Sequence, residues 1–308
     1  MGDPTNIWLV DVNDETWHLA GDQIGQEGAA LEAVDLVDVF EEAPVKTIRD
    51  EGAFQVGSQY RGMRIMTRYP TFNVLLLETL ASPLRDNLRR WKRGWSFSED
   101  CRLYVQDEDS TRYMELRKNE QPKLTDTDSD PNQAEAVSLE MRCVAGNPFY
   151  REDDVIDEFV TVTDTTGGGT ETGYLDFGGN PCDVEIWLKW VVQGAAGIRW
   201  TIPDYSWGSD EFDRAVADAN RAVQLPPLLA GEHLKIDTDK MSQDGQVNSS
   251  LDTQVYMRMG GKRLLYRVPP HTELPPGGIP VQVTGAPIGA GIQVRAPRNW
   301  WAATGGFA

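Results

Sequence analysis

Residues Leu228–Asp239 read Leu-Leu-Ala-Gly-Glu-His-Leu-Lys-Ile-Asp-Thr-Asp. A turn at Ala230-Gly231-Glu232 leads into a short strand in which Leu234 and Ile236 alternate with Lys235 and Asp237. That period of two is the mark of a strand with one buried face. Asp237-Thr238-Asp239 closes the strand, because such short polar side chains bond their own backbone at turns. Downstream, Gln254–Met259 and Leu264–Val268 flank Gly260-Gly261 and predict a hairpin. Upstream, Val184, Ile186, Leu188, Trp190 and Val192 alternate with more polar neighbours and predict one long strand, Val184–Val192. Further strands are expected at Glu158–Thr163, Gly173–Phe177, Ile198–Ile202, Val223–Leu225, Ile279–Val283 and Ile292–Arg295. A short helix capped by Ser209 is expected within Ser209–Arg221. Many short strands punctuated by Gly and Pro predict a β-sandwich or jelly roll for this half.

The first half has the same character with one helix. Ile7–Val12 and Glu15–Leu19, joined by Asn13-Asp14, predict an opening hairpin. Leu31, Val34, Leu36, Val37 and Val39 suggest one or two strands, and Glu41–Gly52 reads as a long polar connection. Strands are expected at Phe54–Gly57, Arg61–Tyr69 and Phe72–Leu80. Pro83–Gly94 is a helix by its punctuation, with Ser82 as N-cap, Pro83 in the first turn and Gly94 as the stop. Leu84, Leu88, Trp91 and Trp95 form its apolar stripe. Cys101–Gln106 and Arg112–Leu116 form a hairpin around an acidic turn, and Ala136–Ala145 is the next strand. Arg151–Asp154 reads as a charged linker, which puts a boundary near residue 153 and gives two domains, 1–153 and 154–308. The fold class is mainly β.

With 308 residues, 40% hydrophobic content and ten Trp, nine Tyr and nine Phe, both halves can bury a core. No apolar run approaches the length of a membrane span. The start, Met-Gly-Asp-Pro, lacks the basic and apolar regions of a signal peptide. Cys101, Cys143 and Cys182 are few, odd in number and widely spaced, which fits inert thiols in a reducing cytoplasm. The net charge is −19. Residues 1–155 carry 17 basic and 30 acidic side chains, and residues 156–308 carry 12 and 18. That balance disfavours a sequence-independent grip on a phosphate backbone. It suits solubility, or a surface past which DNA slides.

No motif supplies catalysis. His18, His233 and His271 are isolated, and neither His-Glu-x-x-His nor Gly-x-Ser-x-Gly occurs. Asp126-Thr-Asp128-Ser-Asp130 begins like a calcium loop but has Pro131 and Val137 where Gly and Glu are required, so it reads as a solvated loop. Asp237, Asp239 and Asp244 are weak candidates for a cation and read first as turn residues. Neither a cofactor nor a metal is expected. Arg85, Arg89 and Arg93 lie on a basic helix face within the acidic half, where carboxylates of a second subunit suit them better than nucleic acid does, and an ordinary solvated face is the simplest reading of all. Trp187 and Trp207 are candidates for sugar stacking, against the simpler reading of core packing.

Taken in order, several segments resemble the distal tail proteins of long-tailed, non-contractile phages, in particular those of actinobacteria. They are Ile7–Asp11 with Trp17-His18-Leu19, Leu88–Trp95, Asn147-Pro148-Phe149-Tyr150, Asn180–Trp187, Gly231–Asp239, Met257–Gly260, Val268–Thr272 and Pro297–Trp300. The end after Trp301 differs from the family's usual tail. The resemblance implies an N-terminal tail-tube-like β-sandwich or split barrel flanked by the helix, and a C-terminal galectin-like β-sandwich. It implies a homo-oligomeric, typically hexameric, ring at the virion tail tip, assembled in the host cytoplasm. Its partners would be the tube protein, the tape-measure protein and the baseplate hub, with DNA passing through an acidic lumen and no membrane insertion. Asp107, Asp109, Asp126, Asp128 and Asp130 are then candidates for the lumen or a subunit contact. The rival readings are a carbohydrate-binding receptor module and, behind it, a glycan hydrolase with two facing carboxylates.

Overall fold

The computed structural model describes residues 5–32, 36–125 and 135–305. These divide into two compact units, residues 5–152 with 300–305, and residues 153–299. The last described residues therefore belong to the first unit, although they follow the second in sequence.

The first unit opens with the hairpin β1 (Asn6–Val10) and β2 (Thr16–Ala20). Ile7, Leu9, Trp17 and Leu19 point inward from its alternating pattern. The turn is held by one buried carboxylate. Asp11 accepts the backbone N–H of Asn13 at 2.8 Å and of Glu15 at 3.1 Å, and the Trp17 indole N–H at 3.3 Å. Next come β3 (Ala29–Leu31), β4 (Val45–Asp50), β5 (Gln59–Ile65) and β6 (Thr71–Leu77). Helix α1 (Leu84–Arg93) follows, then β7 (Cys101–Gln106), β8 (Thr111–Lys118), β9 (Lys123–Leu124) and β10 (Ala136–Val144). The strands β2-β1-β7-β8 are antiparallel neighbours. Strand β10 continues from β8 and pairs with β6, which pairs with β3. Strands β2 and β3 approach each other, so the sheet curls toward closure.

Helix α1 covers this sheet through Leu84, Asn87 and Trp91, with Leu88 only half-buried. Trp91 meets Trp17 edge-on at 5.3 Å and Trp95 at 5.6 Å. Ser82 does not cap the helix; Pro83 stands at the N-cap position and no side chain bonds there. Asn87 instead reaches back, donating to the Leu77 carbonyl at 2.8 Å. Gly94 ends the helix, and its lack of a side chain admits Asp11: a Cβ there would lie 2.1 Å from the Asp11 carboxylate.

Three sequence expectations for this unit are corrected. The polar connection over 41–52 contains β4, which has no apolar alternation because every residue in it is exposed. The expected strand Phe54–Gly57 is the loop joining β4 to β5. The charged linker Arg151–Asp154 lies inside an eleven-residue strand, β11 (Tyr150–Val160), where Arg151 pairs with Glu115 at 3.3 Å and Glu152 with Arg112 at 3.4 Å. Of the apolar run at 31–39, β3 ends at Leu31, Val37 makes only an isolated bridge to Thr71, and Val34 lies outside the described residues.

The second unit adds β12 (Glu171–Leu175), β13 (Lys189–Val192), β14 (Arg199–Pro203), β15 (Ala222–Gln224), β16 (Leu234–Asp237) and β17 (Val247–Ser249). A one-turn helix, α2 (Val255–Arg258), precedes β18 (Ile279–Thr284) and β19 (Gly291–Trp300). One sheet runs β17-β16-β13-β19-β11 and the other β12-β18-β14-β15. Trp190, Val192, Trp200, Ile202, Leu234, Ile236, Val281, Val283, Ile292 and Val294 fill the core of this unit. The arrangement of two antiparallel sheets over one apolar core is a sandwich.

The hairpin expected at 254–268 is absent: Val255–Arg258 is helical, and of Leu264–Val268 only Val268 bridges, to Ile186. Val184–Val192 keeps its alternating burial, but regular pairing begins at Lys189. No helix forms in 209–221. Buried Asp204 pairs with Arg221, and buried Asp218 accepts the Tyr266 hydroxyl at 2.8 Å, which pins that segment as turns.

Candidate functional site: assembly surfaces and buried polar junctions

The residues singled out for contact lie at dispersed places. Arg85 and Arg89 are exposed on α1 and approach Asp86 of the same helix at 3.8 and 3.6 Å, distances at which surface pairs contribute little. Arg93 is exposed, and its carbonyl accepts the Asn13 amide. Arg90 does structural work: it pairs with Glu15 and lies 4.8 Å above the Trp17 ring. Asp107 and Asp109 sit on the β7–β8 turn. Burial alone would raise the Asp107 pKa, but hydrogen bonds from the Ser110 and Asp109 N–H groups and the Ser110 hydroxyl outweigh it and hold it low. Asp107 is thus a turn-forming carboxylate. Asp126, Asp128 and Asp130 lie outside the described residues.

In the second unit, Trp207 packs edge-on against Tyr205 at 5.4 Å, and the Arg267 guanidinium lies 5.9 Å from the Trp187 ring. Among the described residues, no ring contact joins Trp187 to Trp207. Asp237 accepts the Asp239 N–H at 3.0 Å, and Asp239 accepts the Met241 N–H at 2.8 Å, as turn residues do. Among the described residues, no group of three or more His, Cys, Asp or Glu side chains could hold a metal.

Leu228–Asp239 carries a buried charge that its strand pattern does not disclose. Glu232 is fully buried and accepts the Leu229 N–H at 2.8 Å and the Ser249 hydroxyl at 3.0 Å, together with the Thr253 hydroxyl and Arg258. Burial pushes its carboxyl up, and those four donors outweigh burial and hold it below the ordinary range. One ionised carboxylate thereby ties the 229–232 turn to β17 and α2. It also accounts for the helix where a strand was expected, since Thr253 and Arg258 must both face Glu232.

The segments behind the family resemblance fold into two more such junctions. In the second unit, the buried Asn180 amide donates to the carbonyls of Val184, Val268 and Pro269 at 2.9, 3.2 and 2.8 Å. Buried Arg298 donates to the carbonyls of Gly179 and Phe177 at 2.5 and 2.7 Å. Gly179, at φ +68°, runs so close to Thr272 that a Cβ would lie 2.1 Å from its carbonyl oxygen.

In the first unit, two fully buried arginines clasp the end of the chain. Arg68 donates to the carbonyls of Glu41 and Trp301, each at 3.0 Å, and its guanidinium lies 5.5 Å from the Tyr150 ring. Arg112 donates to the Ala302 carbonyl at 3.1 Å, approaches Glu152 at 3.4 Å and stacks on Trp300 at 3.8 Å. Phe149 meets Trp301 edge-on at 5.1 Å, and the Tyr150 hydroxyl donates to the Val39 carbonyl at 2.8 Å. Burial pulls the Arg68 pKa down and pushes the Tyr150 phenol up. Nothing in the sequence pattern sets Arg68 and Arg112 apart from the other arginines; only their positions in β-rich segments beside apolar neighbours hint at burial.

The second unit also carries an open cleft of about 700 Å³ beside β17, lined by Phe212, Lys240, Asn248, Asp252, Tyr256 and Arg263 among others. No helix among the described residues is long and apolar enough to cross a membrane.

No protein-family model matches the chain. It is 30% identical to the minor tail protein Gp27 of Mycobacterium phage D29 over 344 aligned positions, covering 96% of this chain and 97% of that protein. Against the minor tail protein Gp27 of Mycobacterium phage L5 the identity is 30% over 340 positions, with the same coverage. Among solved structures, the Dit (gp 19.1) protein of phage SPP1 matches with a TM-score of 0.54 at 8% identity, covering 95% of this chain and 98% of that one, a likeness of fold. An identity of 30% sustained through nearly the whole of both chains, on a mainly β fold shared with a phage Dit protein, shows that this chain belongs to the Gp27 family of minor tail proteins, structural components of the phage tail.

Proposed function

We propose that this tail protein is a ring-forming adaptor at the tail tip, joining the tail tube to the baseplate hub, with a non-enzymatic role. The reading rests on correspondence along the full chain. Both β units lie within the match to a minor tail protein and within the fold of SPP1 Dit, which is described as a paradigm of hub adsorption apparatus. In this reading the first unit is the tail-tube-like, ring-forming domain and the second the galectin-like sandwich. Copies close into a symmetric ring, typically of six. The acidic first half faces DNA that passes without binding, with Asp107, Asp109 and the 126–130 loop as candidates for the lumen or a subunit contact. Arg85, Arg89 and Arg93 meet carboxylates of a neighbouring copy. The tube, tape-measure and hub proteins are the partners. Sedimentation velocity of the purified chain over a concentration series tests the ring: a discrete closed oligomer is expected, and a monomer throughout would refute it.

A second reading, contact with host glycans, draws on the cleft beside β17 rather than on Trp187 or Trp207. That cleft places rings, amides, carboxylates and cations around one space, the chemistry that fits a neutral sugar. Saturation-transfer NMR with neutral oligosaccharides tests it. Transfer abolished by Tyr256→Ala and kept in Trp207→Ala is expected; no transfer to any sugar would remove this reading.

A further inference from the structure

Asp244-Gly245 is the single Asp-Gly pair in the chain, and no Asn-Gly pair occurs. After every other aspartate stands a residue with a side chain or a proline. Only in this pair can a main-chain nitrogen approach the preceding carboxyl with no Cβ in the way. The pair lies exposed in the turn between β16 and β17. Gly245 has φ +79°, and a Cβ placed on it would meet nothing within 4 Å, so the space around it is open. The Asp244 carboxylate has neither a hydrogen bond nor an ion pair among the described residues. By contrast, Asp107, Asp237 and Asp239 are tied down by N–H groups of their own turns. The Gly245 N–H is held by one bond, to the Ser242 carbonyl at 3.1 Å, and a single bond on an exposed turn opens readily.

We propose that Asp244-Gly245 is a self-modification site, at which the chain converts its own backbone to isoaspartate and so loosens β17. The Gly245 nitrogen attacks the Asp244 carboxyl carbon. A new N–C bond forms, and the carboxyl hydroxyl leaves as water with the amide proton. Water then opens the five-membered imide. Opening at the former side-chain carbonyl restores aspartate, and opening at the main-chain carbonyl gives isoaspartate. One water is lost and one regained, nothing is oxidised, and no co-reactant is needed. The product has one more carbon in the main chain just before Gln246, a residue with little room to shift. Its side-chain amide donates to the Thr238 and Leu264 carbonyls, each at 2.8 Å, and its main-chain carbonyl accepts the Asp237 N–H at 2.9 Å. Strand β17 has only three residues and lies at the edge of its sheet. The extra atom is therefore taken up by lost pairing with β16, and the cleft wall that Asp244–Ser249 provides changes shape. This inference depends on neither the ring nor the sugar reading.

Full-length wild type, Asp244→Glu and Asp244→Asn are incubated at 37 °C beside a synthetic peptide of residues 239–250. Isoaspartate is read by fragmentation mass spectrometry of digests and by methyl transfer from S-adenosylmethionine with an isoaspartyl methyltransferase. Residue 244 is exposed, so the fresh variants should melt as wild type does. Wild type should gain isoaspartate at Asp244 ahead of every other aspartate. Asp244→Asn should gain it faster, because an amide closes the same imide with loss of ammonia. Asp244→Glu should gain none there, since its imide ring is six-membered and closes slowly. In converted wild type, amide exchange over Val247–Ser249 should be about tenfold faster, with the pairing of β13 to β19 unchanged. A peptide that converts while the folded wild type does not would overturn the site. Conversion that leaves exchange in β17 unaltered would overturn its effect on the strand.

Discussion

The Arg112 guanidinium lies 3.8 Å from the centre of the Trp300 indole, and both side chains are fully buried in the first unit. Residues 188 positions apart thus share one contact, which makes the end of the chain part of the unit that the beginning builds. Trp300→Ala should destabilise that unit by about 3–5 kcal/mol, the range for removing a buried aromatic side chain. Arg112→Lys keeps the charge but loses the planar stack and fork, so an intermediate loss is expected. Urea unfolding read with amide exchange on β8 and β10 checks both; unchanged protection there would show that the clasp carries no stability.

Glu232 makes the second unit sensitive to acid. Its folded-state pKa lies below the ordinary value of 4.5. Its contribution is therefore complete above that pH and is lost as pH falls through the folded value. Glu232→Ala leaves Arg258, Thr253 and Ser249 without their shared acceptor and should cost about 3 kcal/mol at neutral pH. Glu232→Gln should flatten the acid limb of the stability curve. Melting temperatures measured from pH 7 to pH 3 decide this: parallel curves for wild type and Glu232→Gln would rule it out.

Gly94 and Asp11 compete for the same space at the end of α1. Gly94→Ala puts a methyl group against the Asp11 carboxylate and should cost about 1–3 kcal/mol, as overpacking does. Asp11→Ala alone frees the hairpin turn and the Trp17 indole. Because the two changes share one contact, the double variant should be more stable than the sum of the singles predicts. Denaturant midpoints for the four proteins measure that coupling, and strict additivity would contradict it.

The three thiols are buried. Burial, with Asp11 nearby, pushes Cys101 up to about 12, and burial raises Cys143 well above its ordinary value. The thiolate is the reactive form. No thiol should react with a disulfide reagent in the native protein at pH 8, and all three should react after unfolding. Rapid native labelling of Cys101 or Cys143 would contradict that burial.

Local pattern disclosed the elements whose stability is local. The β1–β2 and β7–β8 hairpins and the body of α1 follow from alternation, turn residues and helical spacing, and the structure places them accordingly. Strand β4 was not legible because a hairpin exposed on both faces has no buried side to imprint a period. Helix α2 was not legible because its cause, Glu232, lies 23 residues upstream of Val255. The chain-end clasp and the Asn180 and Arg298 junctions depend on contacts more than 85 residues apart, which neither composition nor spacing records. The ordered set of short segments that resembles distal tail proteins marked those junctions without explaining them. Their chemistry, buried arginines and an asparagine bonded to backbone carbonyls, shows why those residue types stand there.

The most direct measurement is an electron cryomicroscopy map of the tail tip of a phage that carries this chain. The account predicts a closed ring of identical copies between the last tube ring and the baseplate hub. Density for this chain only in a peripheral fibre, or as single unassociated copies, would contradict it.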